Sequence, residues 1–217
     1  MWLKGPERDL TRSERWTAGI FAVLVAGLFA LDVAIDFSPA KLSILFFLLF
    51  WVPLLCIHEA GHALVAVVLG WRVHRVVIGI GPIVKRFSVG RTEVELRSLP
   101  LEGFTRLEPR RSSMPGLRSF LIYAAGPGFE VAVLGLIAVL TGTETLLSHS
   151  DSIPIIAAQS LSVAIMLSVV TNLIPHSVES RRGLSPNDGL GMLLSFSLTE
   201  SRVDEIVAEL EQSREKK

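Results

Sequence analysis

Four apolar runs divide the chain: Trp16 to Ile35, Leu42 to Leu69, Phe120 to Leu140 and Ile153 to Ile174. Each is close to the roughly 20 apolar residues a helix needs to cross a hydrocarbon core about 30 Å thick. The pattern predicts about four membrane-spanning helices, with Pro53 offering the second a place to bend. Between the second and third runs the texture changes. The stretch "FSVGRTEVELRSLPLEGF" alternates apolar and polar residues on either side of Gly90, the period of strand, turn and strand. A small membrane-associated β hairpin is expected at about residues 73–104. After Thr199, apolar residues recur at Val203, Ile206, Val207 and Leu210, the spacing of an amphipathic helix with Ser201 as candidate cap. That helix is expected to pack on the membrane face of the protein or on itself. The predicted class is an all-α polytopic membrane protein with one β hairpin. Residues 1–15 form a cytoplasmic leader, 16–198 the membrane domain and 199–217 a cytoplasmic tail.

Composition supports a membrane setting, since half of the 217 residues are hydrophobic. Charge is balanced, 21 basic against 21 acidic residues, and no basic stripe is interleaved with aromatics. Nucleic acid is therefore not expected as a partner. The single cysteine, Cys56, excludes an internal disulfide and a multi-thiolate metal cage. The leader mixes Glu7, Asp9 and Glu14 with its basic residues, and no small-residue cleavage site follows, so the first run is expected to be retained as a span. Lys and Arg fall almost wholly in the leader, the long middle segment and the tail. The opposite connections, Asp36 to Lys41 and Thr141 to Ser152, hold only Lys41. By the positive-inside rule both termini and the hairpin lie on the cytoplasmic side, with the cell membrane as the expected location.

Candidate chemistry sits inside the second run, in "LLCIHEAGHALVAVVLG". His58 and His62 are four residues apart, one helical turn, so both imidazoles lie on one face and can share a metal ion. Glu59 lies about 100° further round, placed to reach a water beside that ion without ligating it. Two neutral imidazoles at this spacing suit zinc, which lowers the pKa of a bound water to about 7. An ionisable group within a span costs on the order of 3 kcal/mol, which argues against idle placement. Counted back from Gly70, His58 is about 18 Å from the helix end, well below the membrane surface. A catalytic zinc takes a third protein ligand and keeps one position open. The later stretch richest in candidates is "NLIPHSVESRRGLSPNDG", which offers His176, Glu179 and Asp188.

The HExxH in an apolar helix, the "AGPG" near the start of the third run and the Asn-x-x-Pro leading to Asp-Gly together resemble the site-2 protease family of intramembrane zinc metalloproteases. The likeness covers Leu42 to about Leu198. It implies that His58, His62 and Asp188 ligate one zinc ion per chain and that Glu59 is the catalytic acid/base. Asn172 and Pro175 correspond to the family's helix break before the aspartate, and Gly81 to Phe104 to its hairpin. Gly126, Pro127 and Glu130 are candidate site-shaping residues on the third helix. Glu130 departs from the family, which usually carries Asn there; it is placed either to hydrogen-bond a histidine or to face the cytoplasmic headgroups. The link from Pro175 to Asp188 is longer than the tightest family form, which keeps His176 and Glu179 open as alternative ligands.

The implied activity is hydrolysis of peptide bonds within or beside transmembrane segments, in regulated intramembrane proteolysis. Its partners are a transmembrane protein substrate and the lipid bilayer; the sequence sets no oligomeric state. No separate soluble peptide-binding module is visible, as expected of a minimal member. Two other classes compete. One is a non-catalytic protein that keeps the fold and binds membrane helices. The other is an ion or proton transporter using Asp32, Asp36, Glu59 and Glu130, against which stand the few spans and the lack of an internal repeat.

Overall fold

The computed structural model describes residues 11–109, 113–180 and 183–215. Most of the expected leader and the basic residues Arg110, Arg111, Arg181 and Arg182 lie outside them. The elements are α1 (Arg12–Ile35), a short 3-10 turn (Pro39–Lys41), α2 (Leu42–Val68), β1 (Arg72–Val89), β2 (Thr92–Glu108), α3 (Pro115–Thr141), α4 (Thr143–Leu147), α5 (Ile153–Leu173), β3 (Ser177–Ser180), β4 (Gly183–Pro186), α6 (Asp188–Ser195) and α7 (Glu200–Glu215). Among the described residues three helical segments are long and apolar enough to cross a membrane: Pro39–Val68, Pro115–Thr141 and Ile153–Leu173. The apolar part of α1, Gly19–Ile35, is shorter. Nearly all its described side chains are exposed, and Lys41 ties it to the rest by an ion pair to Asp32 at 2.9 Å.

Helices α2, α3 and α5 pack on one another because each carries a stripe of small or apolar residues. Gly61 of α2 meets α3 so closely that an added Cβ would lie 2.8 Å from the Ala125 carbonyl. Leu54 of α2 is buried with Ala164 and Ile165 of α5. Ser160 and Ser162 return their hydroxyls to the Ile156 and Ala158 carbonyls at 2.7 and 2.8 Å, so that both donors are paired in an apolar setting. Leu45, Leu48, Leu49, Val139 and Leu140 point outward and are exposed, as a lipid-facing surface requires. Helix α2 runs unbroken through Pro53.

The hairpin is longer than the sequence pattern indicates, spanning Arg72 to Glu108, and it is folded back on itself. Residues 72–78 pair antiparallel with 103–108, as in Ile78↔Gly103 and Val76↔Thr105. The same segment also meets 93–96, through Arg75↔Glu93 to Ile78↔Leu96, while 83–89 pairs with 92–97. The doubling turns at Gly79, whose φ of 95° suits glycine and whose missing Cβ would press on the Leu99 carbonyl. The sheet's inner face, with Val73, Val76 and Ile78, buries against Ala66 of α2 and Ile122 of α3. Beyond it, the fully buried Glu95 is gripped by Arg75, Arg86 and Arg97 at 3.1, 2.7 and 2.9 Å.

Two local features differ from the sequence expectation. A second small hairpin, β3–β4, fills the connection between α5 and α6. The tail helix starts at Glu200 rather than after Ser201, with Thr199 Oγ1 accepting from the Arg202 N–H at 3.4 Å. Helix α7 also turns Val203 and Ile206 inward, where they are buried and line the central cavity.

Candidate metal centre and its cavity

The helical period brings His58 and His62 to one face of α2, and α3 approaches that face at Gly126. An added Cβ there would collide with both imidazoles, so a side chain at this position would occupy the space between the rings and α3. The ring nitrogens His58 Nε2 and His62 Nε2 are 3.1 Å apart. Asp188 Oδ2 lies 2.9 Å from the first, and Asp188 Oδ1 lies 3.2 Å from the second. All three residues are buried. Ligand atoms of a tetrahedral ion with bonds of about 2.0 Å stand about 3.3 Å apart, so these spacings fit one small divalent cation.

The other ring nitrogens support the same reading. His62 Nδ1 lies 2.7 Å from the Ile122 carbonyl, which fixes its proton on Nδ1 and leaves the Nε2 lone pair facing His58 and Asp188. His58 Nδ1 lies 3.2 Å from Glu130 Oε1. Two lone pairs and a carboxylate converging in a buried space repel one another unless a cation or proton sits among them. Asp188 Oδ2, Glu130 Oε2 and His58 Nδ1 lack well-aligned hydrogen bonds among the described residues. The donor set thus fits a metal ion, and among the described residues it is the group placed to hold one.

Asp188 reaches this point because α5 stops at Leu173, ahead of Pro175, and the chain returns through β3–β4. The residue that closes the break is Asn187. Its side chain donates to the Ile174 and Asn172 carbonyls at 2.7 and 2.9 Å, and its Oδ1 accepts from His176 N–H and, as N-cap of α6, from Leu190 N–H. Asp188 is therefore the first residue of a capped helix, where its charge meets the positive end of the helix dipole. Gly189 lies so near the Leu173 carbonyl that no side chain fits there.

Asn172, named from the sequence as part of the helix break, turns its side chain back to the Ser168 carbonyl at 3.0 Å. Ser168 Oγ in turn donates to Glu130 Oε1 at 2.7 Å. Glu130 is wholly buried and faces His58 and Ser168, not the headgroup region. Pro127 is buried inside α3 beside Gly126. His176 is exposed, with Nδ1 2.9 Å from the Ile174 carbonyl, and takes no part in the donor cluster. The side chain of Glu179 lies outside the described residues.

Glu59 is buried beside the two histidines, and its Oε2 accepts from Thr105 Oγ1 of β2 at 2.7 Å. These groups line a cavity of about 360 Å³ bordered by α2, α3, α5, the strand ending at Glu108, the α6 start and α7. Among the described residues the segment 103–108 pairs with 72–78 on one side only, and Leu101, Gly103 and Thr105 of this region line the cavity. Thr105, Ser168 and Asn187 were not singled out by sequence. Only Asn187 carried a legible signal, an Asn directly before an acidic first turn.

Residues 46–212 match the model of peptidase family M50, and the chain belongs to that family. It is 29% identical over 145 residues to a Clostridium perfringens protein named "Putative zinc metalloprotease", a match covering 67% of this chain and 41% of that protein. It is 41% identical over 51 residues to "Membrane metalloprotease ARASP, chloroplastic" of Arabidopsis thaliana, covering 24% of this chain and 11% of that one. The matches thus span less than half the length of these relatives.

Proposed function

We propose that this member of family M50 is an intramembrane zinc metalloprotease that cuts peptide bonds within or beside transmembrane segments of membrane proteins, in regulated intramembrane proteolysis. The observation that carries the reading is the convergence of His58 Nε2, His62 Nε2 and Asp188 beside Glu59 in a buried, roomy cavity. His58, His62 and Asp188 hold the ion. Zinc in such a site supplies a Lewis acid that polarises the scissile carbonyl and acidifies water. Glu59 takes the proton of the attacking water and delivers it to the leaving amine.

A helical substrate hides its carbonyls in its own hydrogen bonds and must unwind before it can be cut. The unpaired edge of the segment 103–108 offers backbone groups to an extended segment beside Glu59, so that strand addition supports docking with little demand on side-chain sequence. Asn172 and Pro175 shape the end of α5 that lets Asp188 turn inward, and Gly126 and Pro127 keep α3 close to the ligands. Residues 16–198 form the protease domain, and α1 serves as a fourth span. The termini and hairpin face the cytoplasm, as the distribution of Lys and Arg supports, and the domain resides in the cell membrane.

The test is a reconstituted assay with a model transmembrane substrate, comparing wild type with Glu59→Gln at matched zinc content. Glu59→Gln keeps the shape and both histidines but loses the proton acceptor, so single-turnover cleavage should fall by about 10⁴-fold or more. Equal cleavage by both proteins sinks the enzyme reading.

A further inference from the structure

We propose that Thr105 of β2 is a positioning residue for the Glu59 carboxylate, so that the hairpin belongs to the catalytic apparatus as well as to the docking surface. The inference rests on the protease reading of Glu59. Gly103 and Thr105 are two residues apart on a strand and so share one face, and that face lies against Glu59. Thr105 Oγ1 is 2.7 Å from Glu59 Oε2 and 3.3 Å from the Glu59 carbonyl. At Gly103 an added Cβ would stand 2.6 Å from Glu59 Oε1, 2.7 Å from its Cγ and 2.9 Å from its Cδ. The bare backbone therefore lies flat against the carboxylate while the hydroxyl pins one of its oxygens.

The consequence concerns which oxygen does the chemistry. A hydroxyl has one proton to give, and Thr105 directs it to Oε2. Oε1 then remains to exchange a proton with the attacking water and the leaving amine. A glutamate side chain is otherwise free to rotate, and a fixed base oxygen is worth more than a wandering one because proton transfer requires hydrogen-bond reach. The strand that supplies the pin also lines the cavity through Leu101, Gly103 and Thr105. Seating a substrate strand there bears directly on the geometry of the base.

The experiment uses the full-length, zinc-loaded protein in nanodiscs and two readouts. One is the dissociation constant of acetohydroxamate, a metal chelator whose hydroxyl also needs a correctly placed carboxylate acceptor; the other is single-turnover cleavage of a model transmembrane substrate. Hydrogen bonds to charged groups are worth enough to predict a loss of about 10 to 100-fold in each for Thr105→Val. Zinc stoichiometry should be unchanged, and Thr105→Ser, which keeps the hydroxyl, should restore both readouts to within about twofold. Gly103→Ala should weaken acetohydroxamate with Thr105 intact. Wild-type affinity and rate in Thr105→Val overturn the assignment, as does a Thr105→Ser variant as impaired as Thr105→Val. Loss of zinc from Thr105→Val also overturns it, because Thr105 touches none of the three ligands. If the hydroxamate pattern holds while wild type cuts no substrate, the protease reading fails and the positioning role stands.

Discussion

Removing the Glu130 carboxylate should weaken zinc binding without touching a ligand. Glu130 Oε1 lies 3.2 Å from His58 Nδ1 and accepts from Ser168 Oγ at 2.7 Å, and Glu130 itself is wholly buried. An acceptor behind a ligating imidazole fixes the ring and raises its basicity, and its loss usually costs 10 to 100-fold in metal affinity. Here the contact to His58 is off the hydrogen-bond line, which places the expected effect at the lower end. For Glu130→Gln that is about tenfold, or about 1.4 kcal/mol. Glutamine keeps the shape and can still accept from Ser168, so the change isolates the charge facing His58. Glu130→Leu removes every acceptor and should cost nearer 100-fold. Affinity is measured by competition with a chelating indicator on detergent-solubilised protein, with thermal unfolding of the metal-free proteins followed in parallel to separate lost stability from lost binding. If Glu130→Leu holds zinc as tightly as wild type, the support attributed to Glu130 is wrong.

Asp188→Ala should purify with little or no zinc while His176→Ala retains one equivalent; elemental analysis that finds the reverse moves the third ligand to His176. Cysteines placed at Ser88 and Ser148 in a Cys56→Ala background should react with an impermeant reagent from opposite sides of the membrane, and labelling from the same side refutes the proposed topology. Burial pushes the Glu95 pKa up, but the guanidiniums of Arg97, Arg75 and Arg86 outweigh it and hold the carboxyl below its ordinary value. A depressed folded pKa stabilises the hairpin above the unfolded value of about 4.3 and loses that stabilisation as pH falls through the folded value. The hydrogen-exchange protection factors of β1 and β2, corrected for the intrinsic rate at each pH, should therefore fall below about pH 4 in wild type, and Glu95→Gln should show weaker protection near neutrality and less change with acid.

How much of this was legible depends on the range of the interaction. His58, Glu59 and His62 are neighbours on one helix, so the 3.6-residue period alone predicts that the imidazoles share a face. The spans were legible for a similar reason, since membrane thickness sets a length that shows as an apolar run; three of the four runs meet that length among the described residues. Asp188 is remote in sequence, and spacing gave it no advantage over His176 or Glu179. What brings it among the histidines is the end of α5, the β3–β4 return and the Asn187 cap acting together. Alternation marked the hairpin but could not show that it folds back, because a period of two says which face a residue occupies and nothing about which edge it pairs with.

Thr105 and Gly103 are the sharper case. A threonine in a strand reads as ordinary β-forming composition, and a glycine as a weak spot or a bulge. Their meaning comes from the surface they face: a buried glutamate on α2 needs a donor for one oxygen and room for the other, and the strand supplies a hydroxyl and a bare Cα two residues apart. The same logic explains why glycines gather around the centre. At Gly126 and Gly189 a backbone comes close to His58 and His62 or to Leu173, and a Cβ would occupy the space that the imidazoles or the α5 terminus require. Ligand identity is written in residue type, while ligand placement depends on which neighbours leave room. That second kind of information appears only when elements distant in sequence are packed together.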